Sequence, residues 1–450
     1  MILNLNVNLS DVFGREDVGG NHSYNFPEEF FNACNDGLSC KSELEDHCLD
    51  VKIFDLENSE IKKNIIAGDL FCRKARWPSA SPFAVFLSHD IDQIHDRELF
   101  RWLGDVNHLR RHLQAGEKCN KNDCIRRIIR PLINPIDPYD QFASIRRIED
   151  KYGWKSTFFL LDDKYWARMG GRFKWTDPDF KRISRFLLDE GCELGIHGSA
   201  YSHDNPQWWQ DICSRFISLY GEAPLGARNH YLKLSVPETW ECQAGAGLLY
   251  DSTFGMPDKL GAPNGYCFPF RVPLSQNQLQ HKGLIELPMS VMDQTLFRYM
   301  NLDGEGAFSA ASEELSKIIE VGGLAVLLWH NNFFNEPEYH EWEETYERLL
   351  DWLAPQNPYV ACGRDIAAWW DARSSVSLIA EGDVDGCKRW HITAEKSLDN
   401  LSVEIFGTRV KEKVVCDVPF SEIQKDSDCI ILTFPHLGAG ESASFRVIRS

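Results

Sequence analysis

The chain has 450 residues, 43% of them hydrophobic and 26% charged, with a formal net charge of -19. That length accommodates one large domain with additions or two to three domains, and the composition is that of a globular protein with a sizeable core. The acidic balance argues against a nucleic-acid partner or an anionic membrane surface, and no apolar stretch approaches the roughly 20 residues a bilayer requires.

The opening segment, "MILNLNVNLSDVFGRED", lacks a basic start, a long apolar centre and a small-residue cleavage site, so a cytoplasmic protein is expected. Fourteen cysteines are scattered from Cys34 to Cys429 with no C-x-x-C pair. Reduced thiols are therefore expected, and any metal must be held by histidines and carboxylates.

In chain order, residues 1–76 read as a mixed region containing "PEEFFNAC" and "VKIFDL", without an interpretable motif. From about residue 82 to 333, apolar runs alternate with amphipathic ones. The strand-like runs are "AVFLSHD", "KSTFFLL", "CELGIHG", "LGARNH", "LLYDST", "CFPFRV", "LIELPMSVMD" and "LAVLLWHNN". Between several of them lie helical stretches such as "DPDFKRISRFLLDEG" and "PETWECQAGAG", opened by Asp or Pro and closed by Gly. This alternation predicts parallel βαβ units, and seven or eight such strands predict a β/α barrel. A basic helical excursion over about 105–140 interrupts the rhythm. A Trp- and Glu-rich helical region covers 334–372, and short β runs without helices fill 375–450, the pattern of a small β-sandwich. The expected division is thus an N-terminal region at 1–76, a barrel at 77–373 and an all-β domain at 374–450.

The ends of the strand-like runs carry the chemistry. The first ends in His89, Asp90 and Asp92; the third in His197, with His203 six residues on; the fourth in Arg228, His230 and Tyr231; the seventh carries Glu286 and Asp293; the eighth ends in His330, followed by Asn331 and Asn332. In a parallel barrel all strand C-termini open on one face, so these groups converge. One carboxylate and two neutral imidazoles can hold a divalent ion with positions left open for water and substrate. A second carboxylate can then act as general base and a further histidine as general acid. Asp90 and Asp92, two apart on a strand, point the same way and could divide these duties. Arg228 could orient the base carboxylate through a bidentate pair or form an ordinary salt bridge. Asp251 is read as a turn cap, while Asn331 could bind substrate hydroxyls or serve a turn. The pairs Trp208/Trp209 and Trp369/Trp370 could stack on sugar rings or lie in the core.

At this point the chain resembles the polysaccharide deacetylases of carbohydrate esterase family 4, over about residues 80–335, in the subgroup whose first motif reads Ser/Thr-His-Asp-Val/Ile-Asp. The resemblance implies a distorted seven-stranded β/α barrel. It assigns Asp90 of "SHDID" as base, Asp92 as metal ligand, His197 of "IHGSAYSH" as second ligand and His330 of "LLWH" as acid. "RNHY" resembles the groove-lining motif, with His230 where proline is usual and Tyr231 beside it. The second histidine of the metal motif stands six residues after His197 rather than four. His203 is still preferred as third ligand over His230, because a pair from one strand-loop segment matches the family's arrangement. The implied cofactor is one divalent ion per chain, zinc. The implied reaction is removal of an acyl group, acetyl first, from an N-acylated amino sugar in a polysaccharide or saccharide precursor. A non-sugar amide substrate and a non-catalytic saccharide-binding protein are the alternatives.

Overall fold

A computed structural model describes residues 70–94, 139–162, 173–201, 203–272, 283–334, 340–384, 387–408, 413–426 and 429–448. The runs "PEEFFNAC" and "VKIFDL" and nearly all of the helical excursion lie outside the described residues.

Strand β1 (Phe71–Lys74) is followed by β2 (Ala84–Ile91), β3 (Thr157–Leu161), β4 (Glu193–Gly198), β5 (Gly226–Asn229) and β6 (Tyr250–Asp251). The next are β7 (Phe270–Arg271), β8 (Ile285–Glu286), β9 (Val291–Met292), β10 (Leu324–Leu328) and β11 (Tyr359–Val360). Every residue of β2, β3, β4 and β10 is buried. Near-continuous apolar runs of this kind suit a parallel sheet covered on both faces. The sheet order is β7-β8-β6-β5-β4-β3-β2-β10-β9, with β11 added beside the start of β2. All these pairings are parallel except β7 with β8.

The run "LIELPMSVMD", expected as one strand, supplies both β8 and β9. Between them Leu287 N donates to Asp251 O at 2.8 Å and Ser290 N to Val326 O at 3.2 Å. One extended segment thus joins the two ends of a curled sheet. "CFPFRV", also expected as a barrel strand, contributes only the short antiparallel β7.

The helices α1 (Phe142–Asp150), α2 (Pro178–Asp189), α3 (Pro206–Tyr220), α4 (Glu238–Gly245), α5 (Gly304–Val321), α6 (His340–Leu353) and α7 (Gly363–Ser374) alternate with the strands or follow them. Helix α2 starts with Pro at its first position and buries Phe180, Ile183, Ser184 and Leu187, the i, i+3, i+4, i+7 stripe of an amphipathic helix. Helix α3 is capped by Asn205, whose side chain accepts from Trp208 N, and ends at Gly221 with φ of 80°, a left-handed conformation that glycine adopts without penalty. Trp208, Trp209, Trp369 and Trp370 are all buried in the core, so none offers a face for sugar stacking.

Together with β1, the C-terminal strands β12 (Val376–Val384), β13 (Cys387–Ala394), β14 (Leu398–Phe406), β15 (Lys413–Cys416), β16 (Ser421–Asp426), β17 (Cys429–Leu437) and β18 (Ser442–Ile448) form two four-stranded antiparallel sheets. Their orders are β1-β14-β17-β16 and β12-β13-β18-β15. The Phe434 and Phe445 rings, one from each sheet, approach to 6.2 Å. Two members were not anticipated. β16 reads "SEIQKD", a polar edge strand without an alternating apolar signal. β1, assigned on sequence to the N-terminal region, pairs with β14 instead. Near that joint Arg373 Nε donates to Ala75 O at 2.7 Å and Trp369 Nε1 to Arg76 O at 3.0 Å. No described helix is long and apolar enough to cross a membrane, and the described cysteines are free thiols.

At the start of β4, Glu193 is buried with its Oε2 accepting from Thr157 Oγ1 at 2.8 Å and from Arg364 N, in the first turn of α7, at 2.9 Å. Burial pushes its pKa up to about 7, with those two donors opposing the rise. Because the folded-state value lies above the unfolded one, the folded state holds the proton more tightly. The associated stabilisation is complete below about pH 4.5 and is lost as pH rises through about 7. Glu193→Gln keeps an acceptor for both donors and removes the charge. Relative to the native chain, the variant should gain about 2–3 kcal/mol of stability between pH 4.5 and pH 8. Urea unfolding of both proteins across that range checks this; parallel pH profiles would show that Glu193 does not titrate.

Candidate metal centre and cleft

Side-chain alternation along β2 sorts its polar residues. Ser88 and Asp90 face Arg228, whose Nη1 donates to Ser88 Oγ at 2.9 Å and to Asp90 Oδ1 at 3.1 Å. His89 turns to the other side, where its Nδ1 lies 2.7 Å from Trp329 O and its Nε2 2.8 Å from Glu149 Oε1. His89 is therefore a structural link from β2 to α1 and contributes nothing to the cleft.

Arg228 is fully buried. It meets Asp90 through one nitrogen, so the bidentate pair expected from sequence does not form. Its Nε and Nη2 are taken by Ser252 O at 2.9 Å and Ser252 Oγ at 3.0 Å, and the guanidinium lies 4.6 Å from the Phe159 ring centroid.

Asp92 follows the end of β2. Its Oδ1 lies 3.3 Å from His197 Nε2 and 3.3 Å from His230 Nδ1, and those two nitrogens are 3.0 Å apart. One donor atom from each residue falls within a common 4.8 Å. His197 Nδ1 donates to Arg228 O at 2.9 Å, which fixes the tautomer and leaves the Nε2 lone pair facing Asp92 and His230. Asp92 Oδ1 is buried without a hydrogen-bond partner among the described residues. An orphaned carboxylate oxygen between two imidazole nitrogens fits a divalent cation, and the mixed nitrogen–oxygen set is one that zinc accepts. Burial acts to raise the Asp92 pKa, but the neighbouring His230, His197 and His330 outweigh it and hold the carboxyl well below its usual range.

His203 does not join this group. Its Nδ1 lies 3.2 Å from Ala200 O and its Nε2 3.0 Å from Ser235 Oγ, while its own carbonyl accepts from the Trp209 indole at 3.1 Å. The loop after β4 is thus drawn toward the start of α3, and the imidazole is spent on holding it there. His230 takes the expected place of His203. In the β4–β5 ladder His197 pairs with Arg228 and Gly198 with Asn229, so His230, the first residue past β5, arrives beside the His197 ring. Tyr231 follows with φ of 59° and 69% exposure, projecting at the mouth of the cleft.

Opposite stands His330, just past β10. Its Nδ1 lies 2.8 Å from Asp293 Oδ1, its backbone N donates to Asp293 Oδ2 at 2.7 Å, and its Nε2 is 3.8 Å from Asp92 Oδ2. Burial alone would lower the His330 pKa; the charge and hydrogen bond of Asp293, with Asp92 and Asp90 beyond, override it and bring the value up to about 9.

The remaining sequence candidates lie elsewhere. Glu286 accepts from Trp240 Nε1 at 3.0 Å and Phe254 N at 2.9 Å, and Asp251 accepts from Thr253 Oγ1 at 2.7 Å and Gln243 Nε2 at 2.9 Å. This pair is buried against α4, and burial raises both carboxyls. Asn331, expected to meet substrate, instead donates to Gln93 O at 2.9 Å and Tyr139 O at 3.1 Å, joining two loops. Its neighbour Asn332 lines the cleft.

The cleft encloses about 390 Å³. Sequence reasoning missed Gln294, Arg298 and Tyr299 on its wall, all on or next to the π-helical turn Thr295–Tyr299 after β9. Neither period-2 nor period-3.6 patterning marks such a turn, although π turns recur at functional sites.

No family model and no curated protein matches the chain. Among solved structures it is similar to a Mycobacterium smegmatis protein assigned as a polysaccharide deacetylase, at 18% identity and a TM-score of 0.42 over 65% of this chain and 91% of the other. A Pseudomonas aeruginosa protein likewise assigned matches at 14% identity and 0.44, over 66% and 93%. The chitin deacetylase of the fungal pathogen Colletotrichum lindemuthianum matches at 14% and 0.34, over 65% and 89%.

The geometry separates the two competing histidines. His230→Ala should weaken zinc binding by about 100-fold or more, whereas His203→Ala should leave it within a few fold; removing a ligand costs far more than altering a loop anchor. Competition with a chromophoric chelator measures both. Loss of zinc in the His203 variant alone would reverse the assignment.

Proposed function

We propose that the chain is a metal-dependent amide hydrolase that removes an acyl group, acetyl first, from an N-acylated amino sugar. The observation that carries the reading is the convergence of Asp92, His197 and His230 between an Asp90–Arg228 pair and a His330–Asp293 pair. The saccharide part rests on the resemblance of "SHDID", "IHGSAYSH", "RNHY" and "LLWH" to polysaccharide deacetylase motifs. Asp92, His197 and His230 would hold the ion, and zinc is proposed from the donor set. A divalent ion bound there lowers the pKa of a water and polarises the amide carbonyl.

The chain's own residues supply the proton transfers. Asp90, oriented by Arg228, keeps its Oδ2 toward the cleft, 3.6 Å from His197 Nε2, and takes the proton of the attacking water as general base. His330 carries a proton at Nε2 and gives it to the departing nitrogen as C–N cleavage proceeds. Asp293 holds the Nδ1 side of the ring and favours the charged imidazolium, so the acid is ready at neutral pH.

Asp90→Asn and His330→Ala should each lower kcat by about 100-fold or more with zinc retained, the cost expected when a general base or acid is lost. Asp293→Asn should cost about 10-fold or more through disorientation of His330. Acetate release from N-acetylated sugars, measured beside zinc content, tests all three. Near-native turnover in the Asp90 or His330 variant would remove that residue from the reaction.

A further inference from the structure

The charged groups of the cleft are not equally matched. Asp90 faces Arg228, and Asp293 faces His330. Arg298 also lines the cleft, yet among the described residues no carboxylate lies within ion-pair distance of it.

Arg298 is exposed, but its guanidinium rests on aromatic rings. Its guanidinium carbon lies 5.0 Å from the Phe333 ring centroid and 5.8 Å from that of Trp342. Those two rings pack against each other at 4.1 Å, and Phe297 stacks on Trp342 at 4.5 Å, so the shelf beneath the guanidinium is part of the core. One nitrogen, Nη1, donates to Gln294 Oε1 at 3.4 Å, and Gln294 Nε2 lies 3.2 Å from His330 Nε2. A planar cation held over aromatic faces, with most of its N–H groups unspent, is pre-organised for a two-oxygen anion. Arg298 and His330 line the same cleft with Gln294 between them, so one bound molecule can reach both.

We propose that Arg298 is a specificity-determining residue that binds an anionic group, a carboxylate or phosphate, on the acylated substrate. This rests on the hydrolase reading above and narrows its substrate class from N-acyl amino sugars to acidic ones. Tyr231 and Tyr299, exposed at 69% and 57% on the same cleft, frame the opening through which such a sugar enters.

The test compares three probes on the zinc-loaded full chain: N-acetylglucosamine, its 6-phosphate and N-acetylglucosaminuronic acid. The native protein should favour at least one anionic probe by about tenfold or more in kcat/KM, the effect of one charge-assisted bidentate contact. The preference should shrink as salt rises. Arg298→Gln should bring the anionic-to-neutral ratio near one, mainly through KM, and Arg298→Lys should restore part of it; the phosphate and uronate arms separate the two anions. No preference in the native protein, or an equal loss on charged and neutral probes in Arg298→Gln, would overturn the proposal. Should none of the probes release acetate, the hydrolase reading itself fails. Calorimetric binding to metal-free protein then decides the anion site: tighter binding of an anionic probe, lost in Arg298→Gln, upholds it, and equal binding of all three overturns it.

Discussion

The buried guanidinium of Arg228 is the constraint around which the cleft is organised. A fully buried cation is tolerated only with its hydrogen bonds satisfied and an opposite charge nearby. Arg228 obtains both by drawing three strands together: Ser88 and Asp90 from β2, and Ser252 from the end of β6, while its own backbone oxygen on β5 fixes the His197 ring of β4. The same residue thus orients one carboxylate through its side chain and one imidazole through its main chain. Removing it would leave the buried Asp90 without its guanidinium partner and the His197 ring without the residue that orients it.

Much of this arrangement is legible from residue patterns. The apolar runs ending in acids and histidines mark β2, β4, β5 and β10, and the parallel-barrel rule that strand C-termini share one face brings Asp92, His197, His230 and His330 together. What patterning cannot resolve is which way a chain turns after a strand ends. The sequence "GSAYSH" has the right residue types to return His203 to Asp92. His203 is held instead by Trp209, which bonds its carbonyl, and by Ser235, 32 positions on, which no local spacing records. Asn331 fails for a similar reason: its amide is claimed by backbone oxygens of Gln93 and Tyr139, one of them 192 positions away in the chain.

The strand count shows the same limit at a larger scale. "LIELPMSVMD" has the length of one strand and reads as one, yet it pairs with β6 at its start and β10 at its end. A continuous apolar run reports burial on both faces; it does not report with which neighbour each half is paired. β1 and β16 escaped notice because short or polar edge strands owe their place to the strand beside them rather than to their own pattern.

The charge pattern within the cleft carries the argument for the metal further than any single distance. Asp90 has Arg228, and Asp293 has His330; each acid is matched within the protein. Among the described residues the charged partners of Asp92 are imidazoles, one of them locked as a lone-pair donor by the Arg228 carbonyl, and its Oδ1 is buried without a hydrogen bond. A buried carboxylate oxygen facing nitrogen lone pairs is repulsive unless a proton or a cation lies between them. Asp90 and Asp293 are each answered by a cation of the chain, whereas the Asp92, His197 and His230 cluster has the donor set and spacing that fit a divalent ion, and it lies between Asp90 and His330.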